Sequence, residues 1–219
     1  MRPTISPRVH IGEVIRNAVV FNPETTQDIL MNSDLLIETV ARFFSLLHER
    51  EIDYVLVGGI ALLQYVEGRN TEDIDLIMAV SALEKLPELS LETRDGDFAR
   101  GRFGNLKVDA LLTSNPLFDA VRNHHTTSKR FVEQEIVCVT VEGLTLLKLY
   151  ALPSLYRQGN FTRVGLYEND VATIMHIHNP PMPSILSELA KYFDATDLEQ
   201  VKQIVAEIQQ RLKRFDERS

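Results

Sequence analysis

Two adjacent glycines, Gly58 and Gly59, close a short apolar run with high strand propensity, Tyr54–Val57. Residues 60–66, which follow the glycines, have the composition of a helix. An apolar run that ends in glycines is typical of a strand followed by a tight turn. The sequence therefore predicts a strand, a turn and a helix in immediate succession, at the start of an α/β domain.

Segments with strand and helix patterns continue along the chain. Further strands are predicted at 74–80, at 98–103, at 106–112 and, as one or two pieces, within 129–141. Helices are predicted from about residues 33 and 81, near 116–122, at 142–152, at 167–178 and from about 196. The turn Gly104-Asn105 predicts that two of these strands form a hairpin. We therefore expect an α/β (α+β) fold, with a small mixed sheet flanked by helices and a C-terminal helical portion.

Three regions are predicted: an N-terminal arm over 1–32 with a short amphipathic helix at 11–20, an α/β domain over 33–152, and a helical portion over 153–219. Residues 153–165 are rich in Gly, Pro and polar residues and predict a loop. Thr196 and Glu199 have capping-box spacing. An apolar stripe that is core or partner surface follows: Leu198, Val201, Ile204, Val205, Ile208, Leu212 and Phe215.

The overall composition is that of an ordinary folded protein, with 44% hydrophobic and 25% charged residues among 219. The formal net charge of −8 argues against a surface that coats nucleic acid broadly, since such binding needs many Lys and Arg contacts to phosphates. A local basic rim that receives an RNA end stays open, as does scattered surface charge. The residues concerned are Arg122, Lys129, Arg130, Arg157 and Arg163, with Tyr156 and Phe161.

The apolar stretches are far shorter than the roughly 20 residues of a membrane-spanning helix. No signal peptide is indicated, and we expect a cytoplasmic protein without a membrane partner. The single cysteine, Cys138, lies in an apolar run and is expected to be a core thiol. The histidine pairs lack companions at zinc-site spacing and receive no role.

The tripeptide Asp73-Ile74-Asp75 carries most information about chemistry. Residues two apart on a strand point to the same face, so the two carboxylates are expected to converge. Converging carboxylates repel unless a cation neutralises them, and their hard oxygen ligands suit Mg²⁺ or Mn²⁺. Acidic pairs at this spacing are also common on solvent-facing strands, so the tripeptide alone does not decide.

Two further features support a metal site. Glycines such as Gly58 and Gly59 let a backbone approach a phosphate closely, although they also serve in ordinary tight turns. Asp109 lies among apolar residues of a predicted strand and needs a cation or a donor there. Three carboxylates, Asp73, Asp75 and Asp109, beside a glycine turn fit metal-assisted phosphoryl or nucleotidyl transfer.

Arg69 and Thr71 flank the first acid in a loop. A guanidinium fork and a hydroxyl are suited to hold triphosphate oxygens, and solvated surface positions are the alternative. Lys148 lies in a leucine-rich helix, where an aliphatic stem that reaches solvent is the alternative to a functional role.

The order of these motifs resembles the DNA polymerase β-type nucleotidyltransferase superfamily, whose signature is a Gly-Gly or Gly-Ser turn followed by an Asp-x-Asp or Asp-x-Glu pair. Residues 57–62 and 69–76 are most similar to the AbiEii-type toxins of abortive-infection and toxin–antitoxin systems. The resemblance covers roughly residues 35–175. It implies a sheet of the nucleotidyltransferase type in the domain 33–152.

The resemblance also implies site residues. Asp73, Asp75 and Asp109 would bind the metal, and Lys148 and Asp170 would complete the active site. Lys148 would also contact the nucleotide, together with the glycine turn. The family often has a basic residue directly before the last acid, whereas this chain has Asn169.

The implied activity is the transfer of a nucleoside monophosphate from an NTP to an acceptor, with release of pyrophosphate. Asp109 would also orient or deprotonate the attacking hydroxyl. The toxin resemblance implies tRNA as the acceptor and a separately encoded antitoxin as a partner. A nucleotidyltransferase of the antibiotic-modifying kind and a non-catalytic interaction module are the alternatives. No oligomeric state is indicated.

Overall fold

A computed structural model describes residues 8–21, 33–68 and 70–216 of the chain. The strands are β1 (Tyr54–Val57), β2 (Asp73–Met78), β3 (Leu89–Arg94), β4 (Phe98–Phe103), β5 (Leu106–Leu112), β6 (Thr126–Arg130) and β7 (Glu135–Val139). The helices are α1 (Ile11–Phe21), α2 (Ser33–Glu49), α3 (Gly58–Leu62), α4 (Val80–Glu84), α5 (Pro116–His124), α6 (Val141–Arg157), α7 (Phe161–His178), α8 (Met182–Leu189) and α9 (Ala195–Asp216).

All the strands form one sheet in the order β3-β4-β5-β2-β1-β7-β6. The pairs β2 with β5 and β1 with β7 are parallel, and the other neighbours are antiparallel. Because β2 is an inner strand, its Ile74 and Leu76 are completely buried. The presence of both parallel and antiparallel pairs makes the sheet mixed, as the sequence predicts.

Helices pack on both faces of this sheet. The ring of Phe43 on α2 lies 5.2 Å from that of Phe103, and the ring of Phe118 on α5 lies 5.4 Å from that of Phe98. Phe98 and Phe103 are five residues apart on β4 and therefore point to opposite faces. The predicted α/β class, with a mixed sheet flanked by helices, is confirmed.

The strands β4 and β5 form the predicted hairpin, with the predicted bounds. Gly104 adopts a φ of +61° in the turn, a conformation that favours glycine. β3 was not predicted. Only its first residue, Leu89, is buried, so it lacks the alternation that marks a half-buried strand.

The chain divides into two compact units, Met1–Val139 and Thr140–Ser219. The helix α6 runs without a break through Leu152, where the sequence predicts a domain boundary. The predicted loop at 153–165 is wrong over most of its length, since α6 continues to Arg157 and α7 begins at Phe161. Pro153 removes one backbone donor, and the burial of Leu149, Leu152 and Leu155 keeps the helix intact around it.

The amphipathic helix predicted at 11–20 is α1, which packs against α2 and has Ile11, Ile15 and Ala18 buried. The approach is close at Gly12, where an added Cβ atom would lie 2.8 Å from the Cα atom of Ile37. The remainder of the predicted arm, residues 1–7 and 22–32, lies outside the described residues.

The second unit is helical, as predicted. The carboxylate of Asp194 accepts a hydrogen bond from the backbone N–H of Asp197 and caps α9. The predicted capping box at Thr196 is therefore wrong by two residues, because Asp194 already supplies the acceptor that the first turn needs. The stripe on α9 is buried at Val201, Ile204, Val205 and Ile208, and Phe215 at its end is exposed.

Among the described residues, no helix is both long enough and apolar enough to cross a membrane.

Candidate active site

Three carboxylates meet on one face of the sheet. Asp73 and Asp75 are two residues apart on β2, and the parallel register places Asp75 directly beside Asp109 on β5. One oxygen of each carboxylate lies within 4.8 Å of one oxygen of each of the others. The predicted convergence is therefore observed, and the roles of these residues as metal ligands stay a prediction.

The glycine turn packs directly against this cluster. Val57, the last residue of β1, pairs with Asp75, and Gly58 follows with a φ of +66°. A Cβ atom on Gly58 would lie 1.8 Å from Oδ2 of Asp75, inside the contact distance of any two atoms. Only glycine satisfies both the backbone conformation and the available space.

Gly59 makes a similar contact on the other side of the turn. An added Cβ atom there would lie 2.7 Å from both Cβ and Oγ1 of Thr71. The Thr71 hydroxyl in turn donates a hydrogen bond of 2.6 Å to Oδ1 of Asp73. Since Thr71 is buried, its hydroxyl holds the Asp73 carboxylate in place from within the protein.

The predicted roles of Arg69 and Thr71 have different outcomes. Arg69 lies outside the described residues, so its predicted role stays a prediction. The alternative interpretation of Thr71 as a solvated surface residue is wrong, because its side chain is buried between Gly59 and Asp73.

A cation that sequence analysis missed lies beside the third acid. Arg100 on β4 pairs in register with Asp109, and its Nε atom lies 3.3 Å from Oδ2 of Asp109. The signal was present in the sequence, because a hairpin closed at Gly104-Asn105 places residues 100 and 109 opposite each other.

Two more cations lie on the same face of β4 and β5. Arg102 forms an ion pair of 2.7 Å with Glu92, and Lys107 forms one of 3.0 Å with Glu72. Both side chains are about half exposed. The cluster is therefore bordered by basic side chains from β4 and β5.

The three carboxylates fit a divalent cation. Their oxygens are hard ligands of the kind that Mg²⁺ and Mn²⁺ prefer, and all three side chains are only partly exposed. Three like charges at this separation repel one another, so a divalent ion between them would relieve a real electrostatic cost. The neighbouring guanidinium of Arg100 offsets only part of that charge.

Lys148 and Asp170 form an ion pair within the second unit. The Lys148 Nζ atom donates a hydrogen bond of 2.7 Å to Oδ2 of Asp170, and both side chains are about 5% exposed. The Nζ atom also lies 4.4 Å from the centroid of the Tyr167 ring. The alternative interpretation, in which Lys148 reaches solvent, is therefore wrong.

Several other sequence expectations are answered by the structure. Cys138 is completely buried, and burial raises the pKa of its thiol to about 12, as expected for a core residue. Among the basic residues considered for an RNA rim, Arg122 is paired with Asp119 at 3.0 Å and Arg157 is paired with Asp197. Both are already engaged within the chain.

No family model matches this chain, and no curated protein matches it at a significant level. The chain is similar to solved structures of nucleotidyltransferase-like proteins. One is an antigenic nucleotidyltransferase-like protein from Paracoccidioides brasiliensis, with 14% identity, a TM-score of 0.47 and coverage of 90% of this chain and 95% of that one.

A second is the solution structure of the antibiotic-resistance factor ANT(2'')-Ia, with 11% identity, a TM-score of 0.49 and coverage of 83% of this chain and 97% of that one. A third is a crystal structure of ANT(2'')-Ia in complex with adenylyl-2''-tobramycin, with 12% identity, a TM-score of 0.45 and coverage of 78% and 95%. Identities of 11–14% with TM-scores of 0.45–0.49 carry no functional conclusion for this chain.

Proposed function

We propose that this protein is a metal-dependent nucleotidyltransferase that moves a nucleoside monophosphate from an NTP to an acceptor and releases pyrophosphate. The observation that carries the proposal is the convergence of Asp73, Asp75 and Asp109 beside the Gly58-Gly59 turn. In an ordinary solvent-facing strand, nothing requires a carboxylate oxygen to lie so close to a neighbouring turn that only glycine fits there.

Each residue of the cluster has a role in this proposal. Asp73, Asp75 and Asp109 would hold Mg²⁺, or Mn²⁺, and the metal would supply charge stabilisation for the attacking and leaving oxygens. Asp109 also orients or deprotonates the acceptor hydroxyl. The backbone of Gly58 and Gly59 contacts the phosphates in this proposal, and the space that their side chains would fill holds Asp75 and Thr71.

The other predicted site residues rest on different grounds, and these residues are Lys148, Asp170, Arg69 and Thr71. The first two rest on the family resemblance, in which they complete the active site, and Arg69 rests on its place in the motif. Thr71 was predicted to hold triphosphate oxygens. We assign it instead to orienting Asp73, because its hydroxyl already donates to that carboxylate.

The acceptor we propose is an RNA, specifically tRNA, and the biological role is that of a toxin restrained by an antitoxin. The resemblance to the AbiEii-type toxins supports this role. The acidic net charge of −8 favours a second candidate, a cationic small molecule of the aminoglycoside type.

One experiment tests the chemistry and separates the two acceptors. The protein is incubated with Mg²⁺ and each of the four NTPs, labelled at the α-phosphate, in the presence of total RNA or of an aminoglycoside. We expect label on RNA with the wild type and none with Asp75→Ala. The matched control is Asp53→Ala, which removes an exposed acid outside the cluster and should label as the wild type does.

The outcomes are distinct. Equal labelling by the wild type and Asp75→Ala would show that the cluster does not carry the reaction. Label on the aminoglycoside but not on RNA would keep the chemistry and replace the acceptor. Growth arrest on induced expression, relieved by Asp75→Ala, is the expected cellular result for a toxin. Arrest by both forms would contradict the enzymatic origin of the toxicity.

A further inference from the structure

The ion pair between Arg100 and Asp109 involves one of the three carboxylates of the proposed metal site. The Nε atom of Arg100 lies 3.3 Å from Oδ2 of Asp109, within the distance of an ion pair. The register of the β4–β5 hairpin holds the two residues opposite each other. A divalent cation bound by the cluster would therefore have to share this carboxylate with the guanidinium.

The Arg100 side chain is placed to give way. It is 52% exposed, whereas Asp109 is 23% exposed, so the guanidinium has solvent on one side and the cluster on the other. An ion pair with this much exposure contributes little stability, because water screens both charges. A divalent ion bound by three carboxylates gains far more from the same oxygens.

A guanidinium released from Asp109 would stay close to the cluster. The β4 backbone keeps Arg100 beside Asp109 whether or not the ion pair is formed. In the proposed reaction the substrate phosphates approach a metal held by that same acid. An exposed arginine at this point has the fork geometry that suits phosphate oxygens.

We propose that Arg100 is an exchanging counter-ion of this site, which pairs with Asp109 when no metal is bound and contacts the substrate phosphates when metal and nucleotide are bound. This role rests on the proposed function, since it requires both a metal and a nucleotide at the cluster. In this role, Arg100 weakens metal binding and strengthens nucleotide binding.

The opposite signs of these two effects provide the test. Binding of Mn²⁺ alone, and of a non-hydrolysable NTP analogue in saturating Mn²⁺, is measured by calorimetry for the wild type and for Arg100→Gln. We expect Mn²⁺ to bind about two- to fivefold more tightly to the variant, the effect expected from removing one exposed ion pair. We expect the nucleotide analogue to bind at least about fivefold more weakly.

The matched control is Arg102→Gln, which removes an arginine from the same strand and the same face, where it pairs with Glu92 instead of a cluster acid. This variant should leave both dissociation constants close to those of the wild type. A general loss of positive charge would move both variants alike, and that result would overturn the specific role of Arg100. Thermal unfolding of each variant verifies that it is folded.

The remaining outcomes separate this role from the proposed function. If Mn²⁺ binds the wild type and not Asp75→Asn, but Arg100→Gln binds Mn²⁺ no more tightly than the wild type, the metal site stands and the exchange is wrong. Unchanged nucleotide binding in Arg100→Gln also overturns the exchange. If Mn²⁺ binds neither the wild type nor Arg100→Gln, the metal site and the proposed function fail together.

Discussion

Gly58 and Asp75 are so close that the Asp75 carboxylate occupies the space where any side chain on residue 58 would begin. The distance from the position of an added Cβ atom to Oδ2 of Asp75 is 1.8 Å. The turn and the carboxylate therefore form one unit, in which a change at residue 58 displaces residue 75.

Gly58→Ala should destabilise the fold and abolish transfer. Its φ of +66° costs a non-glycine residue about 1–2 kcal/mol, and the contact with Asp75 adds about 1–3 kcal/mol. Because Asp75 must move, we expect activity to fall at least about 100-fold. Urea unfolding and the labelling assay measure the two effects.

The control for this change is Gly68→Ala. Gly68 has a similar φ of +80°, and no atom of the described residues lies within 4 Å of its Cβ position. This variant should lose only about 1–2 kcal/mol and keep its activity. If both variants lose activity alike, backbone strain rather than contact with Asp75 is responsible.

Thr71→Val should weaken metal binding with a small effect on stability. The substitution keeps the volume that packs against Gly59 and removes the hydroxyl that donates to Asp73. Partners of metal ligands typically contribute about 10- to 100-fold to metal affinity, so we expect at least a tenfold rise in the Mn²⁺ dissociation constant. Thr71→Ser retains the donor and should bind as the wild type does. Equal binding by the valine and serine variants would show that the hydrogen bond is unimportant.

Cys138 should make the fold sensitive to alkaline pH. Burial raises the pKa of its thiol from 9.0 to about 12, so the unfolded chain loses this proton first. Stability from this group is complete below pH 9 and falls as the pH rises towards 12. Between pH 8 and pH 10.5 the wild type should lose about 1–2 kcal/mol more than Cys138→Val in urea unfolding. Equal losses would mean that the buried thiol ionises as easily as an exposed one.

The contributions of Lys148 and Asp170 to the free energy of unfolding should depend on each other. Lys148→Met leaves the buried Asp170 carboxylate without its cation and should cost about 3–5 kcal/mol. The double variant Lys148→Met with Asp170→Leu replaces both charges by apolar groups and should cost less than Lys148→Met alone. A double-mutant cycle in urea measures the coupling, and additive losses would contradict it.

The same double variant tests the predicted catalytic role of this pair. If it folds with near wild-type stability and does not transfer label, Lys148 and Asp170 act in the reaction as the family resemblance implies. If it transfers label at the wild-type rate, their role is confined to the stability of the second unit.

The local parts of this fold were predictable. The hairpin of β4 and β5 follows from Gly104-Asn105 between two apolar strands, since turn type determines register over so short a distance. The convergence of Asp73 and Asp75 follows from the alternation of side chains along a strand. Both depend only on neighbours in the chain.

The parts that were missed depend on distant neighbours. β3 has one buried residue and exists because β4 offers it a partner, so its own sequence carries no strand pattern. Pro153 suggests a helix end, but packing of the leucines around it outweighs the one hydrogen bond that it removes. The sequence around Lys148 does not distinguish it from a surface lysine. Its side chain is buried because it pairs with Asp170 on the next helix.

By itself the sequence determined the class of the fold, the glycine turn and the pair of acids on β2, because each is written in residues close together in the chain. Asp109 was a candidate from the sequence, and only the tertiary structure established that it lies beside Asp75, since the parallel register of β2 and β5 joins residues far apart in sequence. It also decided that Gly58 touches Asp75. A strand pattern specifies which face a side chain points to, and only the pairing of strands specifies its neighbour on that face.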